Sequence, residues 1–168
     1  MSETGSVSSG LLAVRALLVD VLDRGFDKRS WHGANLKGAI RGLRAADAAR
    51  RVPGRKCAWE QVLHAAYWKH RVLKRLVGPE KFPRKGSNWP ALPVETTEDA
   101  WRADVALLRD INARLRAAVA ALPKERLDAK TMWLIEGAAA HDVYHAGQIK
   151  LLRRLTSVAA SPGTAEDG

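Results

Sequence analysis

Apolar side chains recur at helical spacing over four long stretches of this chain, and this repeat constrains the fold more than any other feature of the sequence. The four stretches cover residues 11–23, 57–77, 97–122 and 130–155, and two shorter helical segments are expected at 36–43 and 45–51. No segment alternates apolar and polar residues with the β-branched enrichment typical of strands. We therefore predict an all-α fold: a four-helix bundle with one or two short extra helices.

The ends of the chain and one internal connection differ from the helical stretches in composition. Residues 1–10 are rich in Ser and Gly and are predicted to be flexible, residues 11–156 to form a single domain, and residues 157–168 to be a disordered tail. The connection at 78–97 contains four prolines and Trp89. Long loops in small domains often serve as lids over a site, although a loop that simply crosses the bundle is the favoured explanation.

Composition limits the classes of protein to consider. A chain of 168 residues with 46% apolar residues is long enough for one domain with a real core. The single cysteine, Cys57, excludes an internal disulfide framework and fits a reducing compartment. The apolar run at 11–22 is interrupted by Arg15 and Asp20, so it is neither a signal peptide nor a membrane span. We expect a cytoplasmic protein without membrane contact.

The strong positive charge needs separate consideration. The formal net charge is +10, which could indicate nucleic acid or an anionic surface as a partner. However, the basic residues are spread over every predicted helix, and no basic run has interleaved aromatics or a nucleic-acid motif. A nucleic-acid-binding protein is therefore the least favoured reading of this sequence.

Two histidines stand one helical turn apart in the last predicted helix. His141 and His145 are separated by four residues, so their rings lie on the same face of an α-helix. Two imidazoles in this arrangement can hold one metal ion, although a satisfied polar pair in a core is the alternative. His64 lies in the apolar half of the second long helix, beside Gln61 and Trp68.

Together the three histidines suggest a metal site inside the bundle. One ligand from one helix and an i,i+4 pair from another is a common way to build such a site in a bundle core. Three nitrogen ligands without an obvious fourth protein ligand leave a coordination position open, as in catalytic sites. The sequence therefore predicts a divalent metal on His64, His141 and His145.

The sequence resembles the DinB-like superfamily, bacterial four-helix-bundle proteins that include metal-dependent hydrolases and thiol-dependent transferases. The resemblance extends over residues 11–155 and rests on five segments: 30–33 (SWHG), 62–69 (VLHAAYWK), 89–90 (WP), 97–101 (TEDAW) and above all 141–149 (HDVYHAGQI). It implies that the same three histidines bind the metal, usually nickel or zinc, and that the protein is a homodimer. It also implies a low-molecular-weight thiol, such as bacillithiol or mycothiol, as a possible co-substrate.

Four further residues are candidates for the pocket or for orienting the ligands. Asp142 and Gln148 flank the histidine pair and could hold a ring N–H, although Asp142 could equally be a surface charge. Tyr144 could bind a substrate, but a core position is the simpler expectation. His32 lies in a predicted loop and could reach the mouth of the pocket, although a structural role is the simpler explanation.

Two other residues are assigned no chemical role. His70 lies among basic residues and is predicted to face solvent, whereas Cys57 is predicted to be a small buried hydrophobe rather than a reactive thiol. The leading hypothesis is thus a metal-dependent hydrolase or thiol-dependent S-transferase that acts on a small molecule. The alternative is a non-catalytic, dimeric helical scaffold or a sensor of a small ligand.

Overall fold

Six α-helices account for most of residues 3–158. The computed structural model describes residues 3–158, and the side chains of residues 10–157. The helices are α1 (Glu3–Phe26), α2 (Leu36–Ile40), α3 (Ala45–Ala49), α4 (Ala58–Val77), α5 (Glu98–Ala120) and α6 (Ala129–Val158), with a 3-10 turn at Lys124–Arg126. Residues 3–158 contain no strand, only an isolated bridge between Ser30 and Gly33. The predicted all-α fold is confirmed.

The helix limits differ from the prediction mainly at the two ends. Helix α1 begins at Glu3 rather than at residue 11, and α6 continues to Val158 rather than ending at 155. Residues 3–10 contain no proline, and each of their two glycines, Gly5 and Gly10, weakens a helix by only about 1 kcal/mol, so no residue there is a strong helix breaker. Residues 1–2, and residues 159–168 of the predicted disordered tail, lie outside the described residues.

Side-chain caps explain where several helices begin. The Asn35 side chain accepts a hydrogen bond from the Gly38 amide at 2.7 Å, and Thr97 caps α5 in the same way. At the start of α4 the Glu60 carboxylate accepts the amide N–H of Cys57 at 2.9 Å. Cys57 itself is fully buried, as predicted.

The four long helices form the bundle, and the short ones cover its sides. Helix α4 packs against α5 and α6, and α1 packs against the same two helices, so α1 and α4 lie diagonally across the bundle. Helix α2 lies on α6, and α3 lies on α4 and α5. None of the helices in residues 3–158 has an apolar stretch that could cross a bilayer. Because α4 and α6 are neighbours, the residues predicted as metal ligands lie on adjacent helices.

An ion pair is buried in the middle of the bundle. Lys69 Nζ lies 2.6 Å from Asp142 Oδ2, and both side chains are almost completely inaccessible to solvent. The ammonium group also donates a hydrogen bond to Asn112 Oδ1 at 2.8 Å and lies 5.3 Å from the ring centroid of Phe26. Asp142 is therefore a core residue that pairs α6 with α4, and the alternative of a surface charge is wrong. A helical register alone does not reveal that a neighbouring helix covers this face.

His70 is also buried, contrary to the prediction that it faces solvent. Its exposed fraction is only 2%, and its ring packs against Phe82 of the proline-rich connection with centroids 5.4 Å apart. Burial lowers the pKa of His70, which keeps the ring neutral at pH 7. The prediction failed because the basic neighbours Arg71 and Lys74 reach solvent while the connection at 78–97 covers His70.

We predict that breaking the buried pair costs far more stability than replacing it. Lys69→Met should lower the free energy of unfolding by about 3–5 kcal/mol, because Asp142 is left buried without a counter-charge. The double variant Lys69→Met/Asp142→Leu should recover most of that loss, since no unpaired charge remains. Urea-unfolding curves measure both values.

Arg102→Met provides the control for this experiment. It removes the exposed ion pair with Asp99 and should cost no more than about 1 kcal/mol. If the double variant were as unstable as Lys69→Met, the ion pair itself would stabilise the fold, and its role would not be limited to neutralising two buried charges.

Candidate metal centre

The three predicted ligands meet at one point between α4 and α6. The Nε2 atom of His141 lies 3.2 Å from Nε2 of His64 and 3.0 Å from Nε2 of His145. His64 extends from α4, and the other two rings come from successive turns of α6, as their four-residue spacing requires. Potential donor atoms from all three residues lie within 4.8 Å of one another. Each ring thus directs the same nitrogen atom toward a common centre.

The opposite nitrogens of two rings are held by hydrogen bonds. Nδ1 of His64 lies 2.6 Å from the backbone carbonyl oxygen of Asn88, and Nδ1 of His145 lies 2.5 Å from Oε1 of Gln61. A carbonyl oxygen only accepts, so Nδ1 carries the proton in both rings. The Gln61 amide is oriented accordingly, because its NH₂ group donates to the Lys56 carbonyl oxygen at 3.4 Å. In the neutral rings, Nε2 of His64 and Nε2 of His145 therefore each present a lone pair to the centre.

This arrangement favours a cation at the centre. His141 could donate an Nε2–H bond to one of its two neighbours, but it cannot satisfy both lone pairs well. The Nε2 atom of His141 lies 3.2 Å from that of His64 and 3.0 Å from that of His145, and converging nitrogen lone pairs repel each other unless a proton or a shared cation lies between them. The orientation of the rings by Asn88 and Gln61 is the kind of support that metal-binding histidines usually have.

The histidines are also in the protonation state that a metal ligand needs. Burial lowers the pKa of His145 to about 3 and that of His141 to about 4, with neighbouring histidine charges adding to the effect. The pKa of His64 is lowered by burial as well, although its bond to Asn88 opposes the shift. All three rings are therefore neutral at pH 7 and can offer a lone pair without first losing a proton.

Part of the proline-rich connection lies directly over His64. The Trp89 ring stacks on the His64 ring with a centroid distance of 3.8 Å and an interplanar angle of 17°. The Trp68 indole N–H donates to the Asn88 side chain at 2.9 Å. Asn88 has a φ of 56°, a conformation that asparagine tolerates better than most residues. This turn directs the carbonyl of Asn88 toward the His64 ring, so the connection takes part in forming the site.

A cavity of about 280 Å³ opens beside the three histidines. Its walls come from α4, α6, the connection and the residues just before α4: Gly54, Arg55, Lys56, Gln61, His64, Trp89, His141, Tyr144, His145, Gln148 and Leu152. The volume suits a small molecule rather than a polymer. The cluster is therefore accessible to a small molecule on the side where the described residues supply no further His, Cys, Asp or Glu ligand.

The other predicted site residues have different positions. Gln148 and Tyr144 line the cavity, and Tyr144 is 60% exposed, so the expectation of a core tyrosine is wrong. His32 is exposed in the loop before α2, near Ser30, and is not part of the cluster. Asp142 points to Lys69 rather than to an imidazole, so it orients no ring N–H.

The residues that do orient the rings were not predicted. Gln61 lies three residues before His64, on the same helical face as this candidate ligand, and this spacing could have marked Gln61 as part of the site. The contact from Asn88 comes from a backbone carbonyl, which any residue carries and which therefore has no sequence signature. Only the folded connection reveals it.

Comparison with known proteins assigns the chain to a family. The sequence profile of the DinB superfamily matches residues 29–149, a range that includes all three histidines. The chain belongs to the DinB superfamily. No curated protein and no solved structure matched the chain. The resemblance predicted from the sequence is thereby confirmed. The cluster of His64, His141 and His145 could hold a divalent metal ion.

We predict that Gln61 tunes metal affinity through His145. Gln61→Leu removes the acceptor for the Nδ1–H group of His145, so the ring loses its orientation and part of its basicity. The affinity for Zn²⁺ should fall about 10- to 100-fold. A competition titration against a chromophoric chelator measures the change.

Gln148→Leu is the matched control. It makes the same chemical change in the same cavity, but Gln148 has no hydrogen bond to any of the three rings within the described residues. It should keep the wild-type affinity. Equal losses in the two variants would contradict a specific role for the contact between Gln61 and His145.

Proposed function

We propose that this protein is a metal-dependent enzyme that acts on a small molecule, either as a hydrolase or as a thiol-dependent S-transferase. The observation that supports this most directly is the convergence of three neutral imidazole nitrogens at the wall of a cavity of about 280 Å³. The three ligands alone would also fit a structural metal. The cavity is what favours catalysis, since structural sites are usually closed by a fourth protein ligand.

His64, His141 and His145 would hold the metal, and zinc or nickel suits an all-imidazole set. When bound, a divalent cation supplies a Lewis acid that makes water or a thiol a better nucleophile near neutral pH. Gln61 and the Asn88 carbonyl keep the rings oriented. The Trp89 ring covers His64 and limits the approach of water from that side.

The remaining cavity residues suit substrate binding. The Tyr144 hydroxyl and the Gln148 amide line the cavity, and each can donate or accept a hydrogen bond. Leu152 and Trp89 add apolar wall. A substrate with one polar end and a short apolar part would fit these groups, as in most small-molecule sites.

Metal content tests the first part of the proposal. The purified protein should bind about one divalent ion per chain, and His64→Ala, His141→Ala or His145→Ala should abolish stoichiometric binding in elemental analysis. His32→Ala should retain the metal, because His32 is exposed and outside the cluster. Metal retention in all three ligand variants would refute the site.

Turnover tests the second part. The metal-loaded protein should accelerate either the displacement of chloride from a chlorodinitrobenzene by a thiol or the hydrolysis of a nitrophenyl ester, and a chelator should return the rate to background. The rival hypothesis of a scaffold or sensor predicts that chelation lowers the melting temperature but that neither reaction is accelerated. The two outcomes are therefore distinguishable with the same sample.

We also propose that the protein forms a homodimer through the outer face of α6. An exposed stripe of apolar and small residues follows this helix at alternating four- and three-residue spacing: Trp133, Gly137, Ala140, Tyr144, Gly147 and Leu151. The Trp133 side chain is 69% exposed, and added Cβ atoms at Gly137 and Gly147 would meet nothing within 4 Å. Soluble monomers rarely expose such a continuous apolar stripe.

The stripe is self-complementary when two copies of α6 run antiparallel. In that arrangement Gly137 faces Gly147 of the second copy, so the backbones can approach closely, and Trp133 faces Leu151. Glu136 then lies near Lys150 of the second copy, which adds charge complementarity. A second copy of this chain is therefore the occupant that fits the stripe.

Trp133→Glu should convert the dimer to a monomer, because it places a charge in the proposed contact. Sedimentation equilibrium measures the mass of each species. Val94→Glu changes a residue that is fully exposed and far from the stripe in sequence, and it should remain dimeric. A wild-type protein that sediments as a monomer would contradict this proposal without affecting the metal site.

A further inference from the structure

The cavity beside the three histidines has an unusual charge balance. Two cationic residues, Arg55 and Lys56, line it together with the three histidines. Among the described residues, no aspartate or glutamate contributes to its wall. A divalent ion on three neutral imidazoles would add two positive charges that no carboxylate in this wall balances.

A tight turn places Arg55 at this cavity. The Arg55 amide donates to the Val52 carbonyl oxygen at 3.1 Å, and Gly54 has a φ of 70°. Pro53 and Gly54 occupy the two central positions of the turn, the order that a type II turn favours. Within residues 10–157, the Arg55 guanidinium has no ion-pair partner, so it remains available to a ligand.

Lys56 is positioned by two neighbours. Its ammonium group lies 3.2 Å from Glu60 Oε1 and 5.6 Å from the centroid of the Trp89 ring, the same ring that stacks on His64. Arg51 Nη1 also lies 2.5 Å from Glu60 Oε2, so the Glu60 carboxylate forms ion pairs with two cationic side chains. The group of Arg51, Lys56 and Glu60 thus keeps a net positive charge next to the cavity.

We propose that the substrate of this site is a small anion carrying a carboxylate or phosphate group, and that Arg55 and Lys56 select it by binding that group. This inference rests on the proposed function and specifies its substrate class. An oxyanion between the two side chains would make charge-assisted hydrogen bonds, which are stronger than bonds between neutral groups. It would also balance charge that the cavity otherwise leaves uncompensated.

The test uses the protein loaded with Co²⁺, whose absorption spectrum reports a thiol that reaches the metal. Two thiols of equal length serve as probes: 4-mercaptobutanoate, which carries a carboxylate, and 4-mercapto-1-butanol, which is neutral. The carboxylate of the first probe is too far from the sulfur to close a small chelate ring on the same ion. At low ionic strength we expect the wild-type protein to bind the carboxylate probe about tenfold more tightly, the effect of about one charge-assisted contact.

Arg55→Gln/Lys56→Gln should reduce this preference to nearly one, while binding of the neutral probe changes little. Arg75→Gln/Lys130→Gln is the matched control, because it removes the same net charge from exposed positions outside the cavity. That control should keep the preference. Equal wild-type affinities for the two probes, or a preference that survives Arg55→Gln/Lys56→Gln, would overturn the inference.

Failure of the proposed function would look different. If the wild-type protein bound no Co²⁺, the metal-dependent function and this inference would fall together. If the protein bound Co²⁺ but neither thiol changed the cobalt spectrum, the thiol-transferase alternative and this inference would fall, and the hydrolase alternative would remain. A cobalt spectrum that responds equally to both thiols would overturn only the anion selectivity.

Discussion

The buried contact between Lys69 and Asp142 constrains the whole bundle. All four long helices contribute to its surroundings, through Phe26 of α1, Lys69 of α4, Asn112 of α5 and Asp142 of α6. Two charges without solvent are tolerated only when they face each other, so the pair penalises every other register of α4 against α6. Asp142 follows His141 directly in sequence. A slip of about 5.4 Å, one helical turn, would therefore separate the ion pair and the imidazoles together.

The cluster of three histidines depends on tertiary contacts to the same degree. Each of the two anchored rings is held by an element other than the one that carries it: Gln61 of α4 holds His145 of α6, and Asn88 of the connection holds His64 of α4. The orientation of the donor atoms thus forms only when three separate segments are in place. This explains why a sequence that carries the ligands on two helices still needs the proline-rich connection to complete the site.

Helical periodicity was sufficient to predict the bundle. The four-residue spacing of His141 and His145, taken together with His64 on another helix, was sufficient to predict which residues cluster. The errors concern which face a neighbour covers. Asp142 carries a charge, and His70 stands between Lys69 and Arg71, yet other segments bury both of them. Tyr144 shows the reverse error, since an aromatic residue beside a buried histidine is exposed. Periodicity defines the faces of a helix, but only packing determines which of them are buried.

The positions of the acidic residues near the cluster explain its chemical character. Asp142 is adjacent to a ligand but is engaged by Lys69, and Glu60 is one turn before His64 but is engaged by Arg51 and Lys56. Neither carboxylate is therefore available to compete with imidazole for a cation. A nitrogen-only donor set disfavours magnesium and calcium, which prefer oxygen ligands, and suits zinc or nickel. Neutral ligands would also leave the charge of a bound cation undiminished, and such an ion would be a stronger Lewis acid than the same ion held by carboxylates.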